Sequence, residues 1–200
     1  MNKLPHAAVT ALWVWTACLA AGAAGPPAPR ELDRLWADLG TKDPVRVDRA
    51  MTSLVAKGAQ TVPFLRKRLS PVPAADPRHL ARWLADLDHD RFAVRQKATH
   101  ELRKLRGVAE PALTRALAND PSPEARRRIE QLLHQVTEER LYPTADQLRA
   151  VRAVEVLERI GSPQARRVLA ALAGGAPQAQ LTVEAQTALE RLAARSVPRP

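Results

Sequence analysis

The amino-acid sequence predicts an all-α protein in which one helical unit is repeated. No segment alternates apolar and polar residues over the length of a strand, and runs of β-branched residues are absent. Apolar residues recur instead at helical spacing, most clearly in 91–106, where they stand at i, i+4, i+8 and i+11 counted from Val94. A shift of 48 residues also aligns the chain with itself. Together these observations predict a short α-solenoid with a repeat of roughly 48 residues.

The predicted helices are separated by turn residues and by short proline-containing stretches. In chain order they cover about 31–39, 44–57, 60–69, 77–87, 91–106, 108–118, 123–140, 145–160, 163–173 and 183–194.

Side-chain acceptors followed by proline predict the start of three helices, because the N–H that proline lacks is not needed at the first helical position. These pairs are Asp43-Pro44, Ser122-Pro123 and Ser162-Pro163. Thr144 with Gln147 predicts a capping box, and Thr182 is expected to cap the last helix. Glycines that follow an apolar period predict left-handed helix ends at Gly40, Gly58, Gly107, Gly161 and the pair Gly174-Gly175.

The 48-residue alignment extends over two units of three helices each. It places PRELDRLWADL (29–39) over PRHLARWLADL (77–87) without a gap. A weaker third copy begins in 152–172. Because units of this length cannot bury their apolar faces alone, they are expected to stack. The apolar positions that the shift pairs further along are Ala50 with Ala98, Leu54 with Leu102, and Leu65 with Leu113.

The segment AVEVLERIGSPQARRVLAAL, with A-x-x-x-L, a glycine turn and a second short helix, resembles the HEAT-like repeat of the type named for phycobilin lyases. The order WADL, VPFLRKRL, LADLD, FAVRQKAT, EPAL, RRRIEQLL and LTVEAQTALERL is similar to a repeat region that follows WD40 propeller blades in large bacterial exported proteins. This likeness runs from about residue 29 to 194. It implies a HEAT/armadillo-like fold and an adaptor role, and it carries over no catalytic residue.

Residues 1–23 have the features of a secretory signal peptide. Lys3 precedes the uncharged run AAVTALWVWTACLAA, and the small residues Ala21 to Ala23 predict cleavage after Ala23. The rest divides into a Pro/Ala-rich linker (24–29), the helical repeat domain (30–195) and a tail (196–200). The sequence thus predicts export to the periplasm or out of the cell. The alternatives for the leader are a membrane anchor and a lipid anchor at Cys18.

Composition narrows the classes of function. Cys18 is the only cysteine, so the chain without its leader has no disulfide, thiolate zinc site or cysteine nucleophile. With 31 basic and 21 acidic residues the formal charge is +10, which fits either a solvated basic surface or a binder of acidic polymers. An exported protein is not expected to meet nucleic acid.

The stretch DLDHD (86–90) sets carboxylates at alternate positions, as a calcium loop would. Such a loop needs glycine at its sixth position and a bidentate glutamate at its twelfth, where this chain has Arg91 and Lys97. The stretch therefore predicts a polar turn in which Asp88 or Asp90 caps the helix starting near Arg91. The alternative is a weak divalent-metal site in the turn from Asp86 to Asp90.

No arrangement of residues predicts catalysis or a bound cofactor. The chain has no G-x-S-x-G and no glycine-rich phosphate loop. His100-Glu101 lacks the second histidine of a zinc-binding H-E-x-x-H, because Lys104 stands in its place. The histidines expected to be exposed are His79, His100 and His134. The tryptophans expected in the helical core are Trp36 and Trp83.

Two groups of basic residues bear on partner binding. The run from Arg126 to Arg128 spreads around one helix, where Arg126 and Glu130 predict an i,i+4 pair on an ordinary charged face. The second short helix of each unit is expected to line the concave side of the stack. The basic residues on those helices, called here the basic ridge, are Arg66, Lys67, Arg115, Arg166 and Arg167.

The sequence therefore predicts a non-enzymatic exported scaffold that binds another macromolecule, in the first place a protein, through the basic ridge. Two alternatives stay open at this point: binding of an acidic glycan by the same ridge, and a weak divalent-metal protein that uses the 86–90 turn.

Overall fold

The computed structural model describes residues 29–196, which contain ten α-helices, one 3₁₀ turn at Arg106–Val108 and no strand. The all-α prediction is confirmed. The helices are α1 Pro29–Asp38, α2 Pro44–Ala56, α3 Gly58–Arg68, α4 Pro77–Asp86, α5 Phe92–Leu105, α6 Glu110–Ala118, α7 Pro123–Leu141, α8 Ala145–Ile160, α9 Pro163–Ala173 and α10 Gln180–Ser196.

The predicted leader with Cys18, and nearly all of the predicted linker and tail, lie outside the described residues. None of the helices within 29–196 has the length and apolar character that a membrane-spanning helix needs.

Local capping chemistry fixes the helix starts much as the sequence predicts. The Asp43 carboxylate accepts from the backbone N–H groups of Val45 and Arg46 at 3.0 and 3.3 Å. Ser122 and Ser162 cap α7 and α9 in the same way, each accepting from the third residue on at 3.2 Å. Both bonds of the capping box formed by Thr144 and Gln147 are present at the start of α8.

Gly161 ends α8 in the left-handed conformation, with φ of 59°, as predicted. It is the only glycine in 29–196 with a positive φ, so the same prediction is wrong for Gly40, Gly58, Gly107, Gly174 and Gly175. At Gly40 the reason for glycine is space, because a Cβ would lie 3.0 Å from the Ala145 carbonyl oxygen.

The prediction that Thr182 caps the last helix is also wrong. Helix α10 starts two residues earlier, at Gln180, so Thr182 lies inside the first turn. Its side chain is fully buried, and its hydroxyl has no hydrogen-bond partner among the described residues. A Cβ on Gly175 would lie 2.6 Å from that hydroxyl, so the loop before α10 packs too closely on Thr182 to leave room for a side chain at position 175.

The buried residues form two separate cores. The first lies between α1–α3 and α8–α10, and its fully buried leucines include Leu39, Leu54, Leu65, Leu157 and Leu169. The second lies within α4–α7 and is built around Leu87, Leu102, Leu113 and Ile129. The positions that the 48-residue shift pairs are therefore buried in both units, but in different cores.

The packing order differs from the order along the chain. Helices α1 and α4 start 48 residues apart, as do α2 and α5, yet α2 packs on α8 and α3 packs on α9. Helices α4–α7 pack among themselves. The first unit therefore shares its core with the last three helices, and α4–α7 form a separate bundle between them in sequence.

One side chain ties the first unit to α8. A guanidinium nitrogen of Arg152 donates to the carbonyl oxygens of Leu39 and Thr41 at 2.6 and 2.7 Å. These two carbonyls lie in the turn that follows α1, just past the helix end. The half-buried Arg152 satisfies both of them and fixes α1 against α8.

Candidate functional site

A mostly apolar groove lies between α3 and α9 in the first core and is called here the α3–α9 groove. Its volume is about 730 Å³. Apolar surface is contributed by the exposed Ala59, Pro63, Pro71 and Ala171 and by the half-buried Ile160. A concave, mostly apolar surface of this size is typical of binding sites.

Local sequence explains why the two helices stand where they do. Gly58 allows the start of α3 to approach the end of α8, because a Cβ there would lie 3.3 Å from Ile160 Cγ2. At the other wall, the hydroxyl of Ser162 caps α9. Helix α3 ends at Arg68, the backbone of the next residue, Leu69, is extended, and Pro71 follows. The walls of the groove are therefore positioned by the close approach of Gly58 to Ile160, by the Ser162 cap of α9 and by the end of α3.

Two of the predicted partner-binding residues lie on this groove. Arg66 on α3 and Arg167 on α9 both line it and are both exposed. Neither has an ion-pair or hydrogen-bond partner within the described part of the chain. By contrast the next arginine on α3, Arg68, pairs with Asp33 and covers the ring of Phe64 at 3.8 Å.

The other members of the basic ridge do not join them. Lys67 is exposed on α3 but does not line the groove. Arg166 is half-buried, and its Nε donates to the Gly161 carbonyl oxygen at 3.2 Å. Arg115 is on α6, in the second core, and its Nε donates to the Pro111 carbonyl oxygen at 3.2 Å. The five side chains therefore do not form one ridge.

A second groove, of about 690 Å³, lies between the two cores. Its basic residues are already neutralised: Arg106 pairs with Glu139 at 3.7 Å, and Arg140 forms a two-bond pair with Glu110. Acidic side chains such as Glu184 line it as well. Because acidic side chains line this groove and the described cations in its lining are already paired, it offers an acidic ligand no unpaired cation.

No protein-family model matches this chain, and no curated protein or solved structure matches it either.

Two carboxylates of the 86–90 turn are engaged by other side chains. Asp86 pairs with Arg82 at 3.7 Å, and Asp88 accepts from the Ser122 hydroxyl. Within 31–195 no three histidine, cysteine, aspartate or glutamate side chains stand where they could share a metal ion.

Neither Asp88 nor Asp90 caps α5, so that prediction is wrong. The N-cap position is Arg91, which makes no side-chain capping bond. The ring nitrogen Nδ1 of His89 accepts from the Arg91 backbone N–H at 3.0 Å instead. The 48-residue shift explains the difference, since it places Arg91 where the first unit has the capping Asp43.

The single histidines lie on the surface, and the tryptophans are half-buried against the two cores. His79, His100 and His134 are exposed, as predicted. His79 stacks on Trp83, with ring centroids 5.7 Å apart. Trp36 is half-buried against the first core and meets Phe64 edge to face at 6.5 Å.

Sequence reasoning missed a buried arginine on α7. Arg128 is buried, and it bonds to the Glu124 carboxylate at 2.7 Å and to the side-chain oxygens of Gln96 and Thr99 at 3.2 Å. The hydrogen bond from Arg128, reinforced by Arg127, lowers the pKa of Glu124 against the opposing effect of desolvation. The predicted pair of Arg126 with Glu130 is not formed, because Arg126 pairs with Asp120 at 2.9 Å.

Sequence reasoning also missed a buried glutamate on α8. Glu158 is buried and accepts from Arg191 and Arg195, with its closest contacts at 2.7 and 2.8 Å. The hydrogen bond to Glu158 raises the pKa of Arg191. Both buried charges occupy apolar-stripe positions: Arg128 stands three residues after Ala125, and Glu158 four after Val154. A charged residue at an apolar-stripe position is the sequence signal that could have predicted these buried charges.

Proposed function

We propose that this protein is a non-enzymatic adaptor that binds another protein in the α3–α9 groove. The observation that carries the proposal is the combination of an apolar concavity with two exposed arginines, Arg66 and Arg167, that have no partner among the described residues. Apolar surface flanked by unpaired guanidinium groups favours macromolecular recognition, where arginine is an enriched anchor.

The proposed architecture behind this function is a short HEAT-like array. Two observations support it. Helices α1 and α4 start 48 residues apart, as do α2 and α5, and the paired positions Leu54 and Leu102 are both buried. In this proposal the first unit stacks on the unit formed by α8–α10, and stacking leaves one helix face of each unit available for recognition.

The proposed location is outside the cytoplasm. Its support is the sequence of residues 1–23 alone, with a charged start, an apolar run and small residues before the expected cleavage point.

Site-specific photo-crosslinking tests the adaptor proposal. A photoreactive amino acid replaces Gln164, which lines the groove, and in a second protein Gln131, which is exposed on α7 away from it. Both proteins are irradiated in an envelope extract of the source organism. The expected result is a discrete protein adduct from position 164 and none from 131. Equal adducts from both positions, or none from 164, would contradict the proposal.

A further inference from the structure

We infer that the α3–α9 groove receives an acidic amphipathic helix, whose apolar face lies in the groove and whose carboxylates meet Arg66 and Arg167. This inference rests on the proposed function and adds the chemistry of the partner.

The charge of the groove sets the sign of the partner. Within 31–195 the residues that line it include two arginines, Ser162 and Gln164, and no aspartate or glutamate. An approaching cation would meet only like charge, whereas a carboxylate would meet two guanidinium groups that have no acidic neighbour to displace. The inter-core groove differs in this respect, since Glu139 and Glu184 line it beside its cations.

Unpaired arginine alone does not make a site. Arg34 and Arg49 are also exposed and without an ion-pair or hydrogen-bond partner among the described residues, but they line neither groove. Arg66 and Arg167 differ from them because apolar surface lies beside the charge. A small solvated anion would leave that apolar surface exposed to water, so a partner that buries it must carry apolar side chains as well as carboxylates.

The shape of the groove favours a helix. Its walls are two packed helices, and a third helix can lay a ridge of side chains between them. Helix α3 has 11 residues, so at about 1.5 Å per residue the wall is roughly 16 Å long and matches about three turns of a partner helix. Anchors at i, i+3, i+4 and i+7 would then fall in the groove, with acidic residues on either side.

The test measures binding of three fluorescein-labelled synthetic helices to the purified full chain by fluorescence anisotropy. The first peptide has an apolar face flanked by glutamates, the second has lysines in place of the glutamates, and the third keeps the glutamates but has serines in place of the apolar face. The first should bind on the order of tenfold or more tightly than either of the others.

Charge reversal then locates the binding. The double variant Arg66→Glu/Arg167→Glu should lose the first peptide and gain the second. The matched control Arg34→Glu/Arg49→Glu makes the same change in net charge away from both grooves, and it should leave the affinity for the first peptide unchanged. Equal losses in the two doubles would show non-specific attraction to a basic protein and would overturn the inference.

Other occupants give different results. Equal binding of the first and third peptides would mean that charge alone is read, as by a surface for acidic polymers. A groove-dependent increase in molecular mass with concentration would point to a second copy of this chain. Either result overturns the inference. A crosslinked protein at position 164 without preference for the acidic peptide would leave the adaptor proposal intact and refute only the partner chemistry.

Discussion

Removing the two arginines that neutralise Glu158 should destabilise the protein more than removing the Glu158 charge itself. The Glu158 side chain is only 5% exposed, whereas those of Arg191 and Arg195 are 46% and 61% exposed. The carboxylate accepts four hydrogen bonds from the two guanidinium groups, at 2.7 to 3.0 Å. When the cluster is broken, the two exposed arginines can therefore be solvated by water, whereas the buried Glu158 carboxylate cannot.

This inequality sets the expected magnitudes. In Glu158→Gln the arginines can return to water, so the loss is that of hydrogen bonds to a charged group, about 1.5–3 kcal/mol. In Arg191→Met/Arg195→Met the apolar stems are kept, but a carboxylate stays buried without a partner, which costs about 3–5 kcal/mol. Adding Glu158→Gln to the double variant removes the stranded charge. The triple variant should therefore be more stable than the double variant.

Urea unfolding followed by circular dichroism measures the free energies of unfolding of the three proteins. The control is Arg159→Met, which removes an exposed pair with Glu155 and should change stability by less than about 1 kcal/mol. A triple variant no more stable than the double variant would refute the reasoning, because the deficit of the double variant would then come from lost packing and not from a buried charge.

Two further predictions concern the joint between α1 and α8 and the behaviour in acid. Gly40→Val should cost about 1–3 kcal/mol of stability, because its Cβ would lie 3.0 Å from the Ala145 backbone oxygen. The tolerated control in thermal melts is Gly107→Ala, whose Cβ would meet nothing closer than 3.7 Å. Equal losses of stability in the two variants would contradict this prediction. The pKa of Glu124 is lowered in the fold by Arg128, so its stabilising contribution is present above the ordinary glutamate pKa and is lost as the pH falls through the lowered pKa. Glu124→Gln should remove that part of the acid dependence when melting temperature is followed from neutral pH to about pH 2; an unchanged profile would show that the pair does not contribute.

Helix positions could be predicted from sequence because the signals that fix them are local. Ser122 and Ser162 lie next to prolines and accept from N–H groups within three residues of themselves, so the chain carries both partners of the bond in one short segment. The prediction for α5 failed because Arg91, which makes no side-chain capping bond, stands at the N-cap, while Asp88 and Asp90 lie just before it.

Which faces meet could not be predicted in this way. Periodicity identifies the apolar face around Leu54 or Leu102, but any other apolar face can cover it, so the pairing of α1–α3 with α8–α10 has no local signature. The basic ridge shows both outcomes. Arg66 and Arg167, both predicted on the second short helix of their units, line one groove, whereas Arg115 lies on α6 of the other core.

The bond from Arg152 to the end of α1 spans 113 and 111 residues of chain, and this fixes the order in which the molecule can be completed. At the usual 5–20 residues per second of synthesis, α1–α3 precede the helices that cover them by on the order of ten seconds. Helices α4–α7 can close their own core in that interval, but the apolar faces of the first three helices cannot. The N-terminal unit is thus the part of the nascent chain most in need of a chaperone or of delayed folding.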